Sequence, residues 1–387
     1  MKIAYFCDEY PPAPHGGIGT FVQTIAHAMV AAGHEVTVVG FDRRFMERYD
    51  AGVRLIHLPS ARIPRVTWLL NRLALRRWLA VEVASGRIDL IELPEFSGPL
   101  PLPFKACPVV VRLHLSATAI ARAAGRRCNP AVSFCERATL QLHHNWIAVS
   151  RHILALTKQT FRLGPSVCST IYYPVALPSR LGSVQMTLPE RFVLYAGTVS
   201  QRKGAYLLAQ SARNFLMAEP STHLIYAGPL ASDLGVNPQA RILEIIGPEL
   251  AHRVHFTGRL DRCSLAAVMQ RATVFAFPSS LEAFGLTVAE AMLAGVPVVV
   301  PDTPPFDEFV TDGQTGFLVP AGDPEALGSR ILRLLREPGL ARFIGDSGRS
   351  EIASQFSVER CVLATKAFYE QCVTGQAAQR GPLSAGL

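Results

Sequence analysis

Two glutamates eight residues apart, Glu282 and Glu290, lie in PSSLEAFGLTVAEAMLAGVPVVV, residues 278–300. An apolar strand ends at Pro278 and Glu282 falls in the loop. Phe284-Gly285-Leu286 open a helix, Glu290 sits in its early turns, and Gly295 and Pro297 end it. The start of such a helix aims unpaired N–H groups at whatever binds there, which suits phosphate. A carboxylate accepts two hydrogen bonds at once, as a pair of vicinal sugar hydroxyls requires. Taken singly, Glu290 is an acid favoured near a helix N-terminus and Glu282 a solvated loop acid. Together with the glycine between them they make a candidate site. A second one is YAGTVSQRKGAYLL, residues 195–208, where a strand runs into a loop carrying Gly197, Arg202 and Lys203 before a helix. Two cations at the carboxyl end of a strand suit a diphosphate leaving group, whose departure leaves charge that they neutralise.

A third is HGGIGTFV, residues 15–22, where Gly16 and Gly17 let a ligand approach the backbone ahead of a helix expected from Thr20. A dinucleotide site would also use such glycines. It is disfavoured because its third glycine position is Val22 and the loop from Cys7 is too long for the tight turn. The fourth is His114, in VVVRLHLS at the end of a strand; a lone histidine there is by default structural.

These residues need an α/β frame. Apolar strands are expected at Ile3–Cys7, Val36–Val39, Val53–Leu58, Ile88–Leu93, Val109–Leu113 and Trp146–Val149. A Pro- and Gly-bearing stretch at 174–190 is the expected linker. A second alternation follows, with strands at Phe192–Tyr195, Leu224–Ala227, Arg253–Phe256, Val274–Pro278, Pro297–Val300 and Phe317–Val319. The expected fold is therefore α/β: two Rossmann-like, doubly wound parallel-sheet domains facing across a cleft, with ligands at the carboxyl ends of the strands. The domains expected are 1–178 and 188–350. A last helix is expected over 357–372, and the tail after Gly375 is expected to fray.

At this point the chain resembles the retaining GT-B glycosyltransferases of glycosyltransferase family four, also called glycosyl transferases group 1. Their E-x7-E followed by a helix and G-x-P-V-V is matched by Glu282, Glu290 and Gly295-Val296-Pro297-Val298-Val299. The resemblance implies an acceptor-binding first domain, a donor-binding second domain, and a final helix, about 355–373, that returns to the first. It implies that Glu290 holds the donor ribose, that Glu282 contacts the donor sugar, and that Phe284, Gly285, Leu286 and Gly197 line the sugar and diphosphate. Arg202 and Lys203 would neutralise the diphosphate, the Gly16-Gly17 loop would border diphosphate and acceptor, and His114 would lie near the donor sugar. Glu308 matches a family acid of no assigned role. Where many members read N-G-V in the linker, this chain reads Tyr173-Pro174-Val175. The front-face retaining mechanism is likewise inherited from the resemblance.

Composition narrows the rest. The chain has 387 residues, 49% hydrophobic and 18% charged, which excludes global disorder. Eight cysteines without C-x-x-C point to neither a disulfide scaffold nor zinc. There is no D-x-D to hold a divalent metal on a diphosphate, so no metal and no other cofactor is expected; the nucleotide sugar is a substrate. No apolar run reaches the ~18 residues of a membrane span, and the N-terminus is a poor secretory signal, so a cytoplasmic protein is expected. Residues 1–186 hold 21 Lys+Arg against 11 Asp+Glu, a net of +10, and the remainder 17 against 19, a net of −2. A basic first half by charge alone suits DNA, an anionic membrane surface or a phosphorylated acceptor, or is merely a solvated surface; the partners expected are an anionic or lipid-linked acceptor and peripheral contact with the inner face of the membrane, with no nucleic acid. In ARIPRVTWLLNRLALRRWLA, residues 61–80, Arg65, Arg72 and Arg76 would share one helical face flanked by Leu69 and Leu79, which fits a membrane-surface helix or, better, an ordinary packed helix with a basic rim. The expected reaction is transfer of a sugar from a UDP- or GDP-sugar to an acceptor hydroxyl in cell-surface polysaccharide or glycoconjugate synthesis. Natural-product tailoring, a non-catalytic GT-B binding protein and a nicotinamide-dependent oxidoreductase are the alternatives.

Overall fold

The computed structural model describes residues 1–13, 15–164, 166–184, 186–231 and 235–380. They form two compact units. The first comprises Met1–Pro174 together with the chain from Val358 onward, and the second comprises Val175–Ser357.

The first unit contains β1 (Lys2–Phe6), α1 (Gly17–Ala31), β2 (Glu35–Asp42), β3 (Met46–Asp50), β4 (Val53–Pro59), α2 (Thr67–Ala84), β5 (Leu90–Pro94), β6 (Val109–Leu113), α3 (Ala117–Ala123), α4 (Pro130–Leu142), β7 (Asn145–Ala148), α5 (Arg151–Phe161) and β8 (Val167–Thr170). Its sheet runs β3-β4-β2-β1-β5-β6-β7-β8. All neighbours are parallel except the β3–β4 hairpin, in register from Met46 opposite His57 to Asp50 opposite Val53. The inner strands are buried on both faces and, apart from Glu92 and Arg112, apolar, as helices packed on both sides of a parallel sheet demand.

The second unit contains β9 (Arg191–Ala196), α6 (Ala205–Ala218), β10 (Thr222–Ala227), α7 (Pro238–Ile246), β11 (Val254–Gly258), α8 (Arg262–Arg271), β12 (Val274–Ala276), α9 (Leu286–Leu293), β13 (Val298–Pro301), β14 (Phe317–Val319), α10 (Pro324–Arg336) and α11 (Pro338–Gln355). Its sheet is parallel throughout, in the order β11-β10-β9-β12-β13-β14. Strand order reverses between β1 and β5 in the first unit and between β9 and β12 in the second, and it is beside such reversals that α/β sheets leave room for ligands.

The last helix, α12 (Val358–Arg380), belongs to the first unit. One buried cluster ties it down. The Arg112 guanidinium donates from Nε to Glu92 Oε1 at 2.8 Å and from Nη2 to Oε2 at 2.9 Å. The Tyr369 hydroxyl donates to the same Oε2 at 2.6 Å, and its oxygen lies 3.2 Å from the Tyr5 hydroxyl, which can donate to it.

Five elements differ from the sequence reading. Helix α1 starts at Gly17 rather than Thr20. Strands β3 and β8 were not foreseen; both are short and polar or mixed in composition, with exposed positions that give no apolar run. Helix α12 extends to Arg380, past the point where fraying was expected, and the tail beyond it lies outside the described residues. The basic face expected over 61–80 does not form: Arg65 precedes α2 with φ of 68°. Arg72 turns inward to donate to the carbonyls of Ser97, Gly98 and Trp68. No helix among the described residues is long and apolar enough to cross a membrane.

The Glu92 cluster gives a stability prediction. Glu92→Gln leaves the Arg112 charge buried without its counter-ion and should cost ~3–5 kcal/mol. Tyr369→Phe removes one donor to a buried carboxylate and should cost about 1–3 kcal/mol. Urea unfolding followed by circular dichroism checks both; equal, near-zero losses would show that the cluster does not hold α12.

Candidate active site

In the second unit the two loops at the strand reversal are pressed together by their backbones. The loop after β9 ends at Gly204, whose φ is +78° and where an added Cβ would lie 2.0 Å from the Pro278 carbonyl oxygen. Only glycine lets the chains come this close. From the other loop Ser280 donates its amide and its hydroxyl to the Arg202 carbonyl, at 3.2 and 3.1 Å.

This contact brings Lys203 to Glu282. Lys203 Nζ lies 2.5 Å from Glu282 Oε1 and 5.6 Å above the centre of the Phe277 ring. The Ser279 hydroxyl donates to the same Oε1 at 2.6 Å, and Glu282 is 9% exposed. Arg202 does not join the pair: its Nη1 reaches the Leu281 carbonyl at 3.4 Å. Gly197 closes the end of β9, its amide bonded to the Ala227 carbonyl.

Gly285 takes the left-handed conformation, φ +86°, that turns the chain into α9. The Phe284 ring is core rather than site, packed against Phe309 and Phe356; what that position can offer a ligand is its backbone. Leu286 begins the helix, so its amide has no acceptor within α9. Glu290 is 8% exposed, and burial raises its carboxyl above the usual range, with the Arg262 guanidinium at 3.3 Å working against that rise. Arg262 was not foreseen. It opens α8, and the same Nη2 also donates to the Ala176 carbonyl at 2.9 Å. Glu308 lies in a short 3-10 turn after β13.

In the first unit Gly16 caps α1 and Gly17 is its first residue. The Glu9 carboxylate already accepts the amides of Gly16 and Gly19, at 3.2 and 2.9 Å, so a diphosphate at this loop must displace it. His114, one residue past β6, is 5% exposed. Its backbone amide donates to both Glu95 oxygens, at 2.8 and 2.7 Å, and the Leu115 amide to Oε1 at 2.7 Å. Leu115 is held at φ of 107°, a conformation a branched side chain adopts only under constraint. Further along, Glu136 accepts the amides of Ser97, Ala117 and Thr118 and the Thr118 hydroxyl. Two buried carboxylates thus shape the loop that carries His114. Burial pushes the Glu95 carboxyl up to about 8 against the lowering effect of its amide donors. Burial, with Arg112 nearby, pushes His114 well below the usual histidine range.

Comparison with known proteins gives these loops a context. The family model described as Glycosyltransferase Family 4 matches residues 15–177, and the one described as Glycosyl transferases group 1 matches residues 184–351. The chain is similar to glycogen synthase of Mycobacterium tuberculosis, with 25% identity over 410 residues, 97% of this chain and 96% of that protein. It is also similar to phosphatidyl-myo-inositol mannosyltransferase of Mycobacterium leprae, with 28% identity over 353 residues, 87% of this chain and 88% of that one. Among solved structures, Anabaena Alr3699/HepE in complex with UDP and glucose superposes with a TM-score of 0.73 at 18% identity, covering 96% of this chain and 99% of that one. That likeness shows the GT-B fold.

The Glu95 carboxyl makes stability depend on pH. Its folded value, about 8, lies above its ordinary 4.5. In that window the folded state binds more protons than the unfolded one, so Glu95's contribution is complete at low pH and is lost as pH rises through the window. Urea unfolding across this range should show a decline that Glu95→Gln flattens. Parallel curves for the two proteins would show that Glu95 ionises normally.

Proposed function

The chain belongs to the group 1, family-four glycosyltransferases, and on that premise we propose that it moves a hexosyl-type sugar from a UDP- or GDP-sugar to an acceptor hydroxyl, with retention at the anomeric carbon and without a divalent metal. The observation that carries this reading is the Lys203–Glu282 pair at 2.5 Å beside a buried Glu290 eight residues on. Lys203 and Arg202 take the diphosphate, and the amides opening α9 receive its remaining oxygens. Glu290 accepts the ribose hydroxyls once they replace Arg262, and Glu282 meets the sugar. The C1–O bond to the diphosphate breaks with its electron pair going to phosphate. The acceptor oxygen bonds C1 on the same face, and its proton passes to the departing phosphate oxygen. Growing charge on that phosphate is what Lys203 stabilises. His114 lies against the donor sugar. The relatives named for glycogen and for a phosphatidyl-inositol mannoside support polysaccharide or glycolipid synthesis over natural-product tailoring. The intact charge set supports catalysis over a non-catalytic role.

An anionic or lipid-linked acceptor, with peripheral contact at the cytoplasmic face of the membrane, is the second part of the proposal. Its support is the net charge of the first half and the exposed Ile63, Val66, Trp68, Leu69 and Leu73 beside Arg62, Arg65 and Arg76. Co-sedimentation with phosphatidylglycerol vesicles should be strong at 0.1 M salt and weak at 1 M, as the Debye length falls from ~10 Å to ~3 Å. No binding at low salt would favour a soluble acceptor.

Glu290 and Lys203 should fail differently. Ribose hydroxyls do not change during reaction, so Glu290→Gln should raise donor KM, by roughly 1.5–3 kcal/mol of lost binding, with a smaller change in kcat. Lys203→Ala should lower kcat by about 10²–10³. The measurement is steady-state kinetics with the UDP- or GDP-sugar that most raises Tm, on variants shown to be folded, in excess EDTA. Near-normal kcat in Lys203→Ala removes the diphosphate role from that loop. Activity lost in EDTA and restored by magnesium removes the metal-free mechanism.

A further inference from the structure

Tyr173, set apart in the sequence by its place at the start of the linker, is the last residue but one of the first unit's N-terminal segment, Met1–Pro174. It is 4% exposed, and its ring stacks on Phe21 of α1, with centroids 5.0 Å apart and planes 25° from parallel. Its hydroxyl oxygen lies 2.5 Å from His114 Nδ1. Phe21 in turn meets the His114 ring edge-on at 5.3 Å and carries the Arg112 guanidinium 4.6 Å over its face. His114 is therefore held twice: Glu95 fixes its main chain and Tyr173 fixes its ring.

The direction of the 2.5 Å hydrogen bond decides the chemistry. Burial, with Arg112 nearby, holds His114 well below the usual histidine range, so the ring is uncharged and carries one N–H and one lone pair. A phenol is the stronger donor and the weaker acceptor of the two partners, so its proton points at the Nδ1 lone pair. The ring's own proton is then on Nε2. We infer that Tyr173 is a positioning residue: its hydroxyl donates to Nδ1 of His114, fixes the ring as the Nε2–H tautomer and leaves Nε2–H as a directed donor for an oxygen of the transferred sugar. This rests on the proposed placing of His114 against the donor sugar. It makes His114 a neutral hydrogen-bond donor in the resting enzyme and not a base, because the nitrogen facing the ligand already holds the proton.

Long-range ¹⁵N–¹H correlation spectra of ¹⁵N-histidine-labelled protein read the tautomer without any ligand, and the His114 signals are those that vanish in His114→Ala. The wild type should show a protonated Nε2 and a bare Nδ1. Tyr173→Phe keeps the stack on Phe21 but removes the donor, and should give a mixture of both tautomers. In the kinetic assay Tyr173→Phe should lower kcat about threefold to tenfold, the scale of one hydrogen bond, with donor KM nearly unchanged. A purely packing role for Tyr173 moves neither readout. A wild-type ring protonated on Nδ1, or a Tyr173→Phe spectrum and kcat equal to wild type, overturns the inference. His114→Ala separates the two layers. If it retains kcat, the sugar-facing role of His114 falls and Tyr173's role falls with it. If it is slow while Tyr173→Phe is not, the reading of His114 stands and only Tyr173's role is lost.

Discussion

A carboxylate taken out of water must be given donors in return, and this protein meets that demand in a different way at each place where it builds something. Glu92 is met by a guanidinium and a phenol, and the result is an anchor for α12. Glu95 and Glu136 are met mostly by main-chain amides, and the result is a loop held in a shape its own sequence would not choose, with Leu115 in the left-handed region. Here the acid is the template and the backbone is what it moulds. Such contacts act on a whole segment at once, so the main chain at His114 is placed by carboxylates that never touch its ring.

In the second unit the same demand is met by cations that a ligand could use. Lys203 is spent on Glu282 and Arg262 on Glu290. Each pair stores a charge that an incoming diphosphate or ribose can compete for. Exchanging one set of partners for another costs far less than desolvating a free ion on binding, because the desolvation has already occurred in the fold. Gly204 sets the terms of this exchange, since without its close approach to Pro278 the lysine and the glutamate would not share a loop interface.

How legible all this was in the sequence depends on distance along the chain. The E-x7-E spacing and the G-x-P-V-V turn are local, and the strands around them are near-continuous apolar runs, so the loop and helix that carry Glu282 and Glu290 and most of both sheets could be read directly. The partners could not. Arg262 meets Glu290 across 28 positions and Tyr173 meets His114 across 59, and nothing in either pair's neighbourhood marks them as belonging together. Helical spacing misplaced the 61–80 segment because it assumed a helix from the start. Arg65 stands before α2, and Arg72 turns to carbonyls of the β5–β6 connection. In the sequence the Gly16-Gly17 loop looks open to an anion, because Glu9 sits seven residues upstream of Gly16, too far for a helix-capping pattern to reveal it.

The bond from Tyr369 to Glu92 spans 277 residues, and the whole of the second unit is spelled between its ends. A chain synthesised from its N-terminus therefore makes Val175–Ser357 before α12 exists. The second unit is contiguous and closes its sheet through successive strand–helix–strand crossovers, so it can complete itself as it emerges. The first unit cannot. Its early strands can pair, but the Glu92 carboxylate lacks its phenol donor, and the surface of α1 that packs on α12 stays uncovered. A folded second unit shortens the span that α12 must close, which lowers the entropic cost of that closure. The half of the molecule translated first is thus the half finished last, and its apolar surface is open to chaperones or to aggregation for as long as translation of the rest takes.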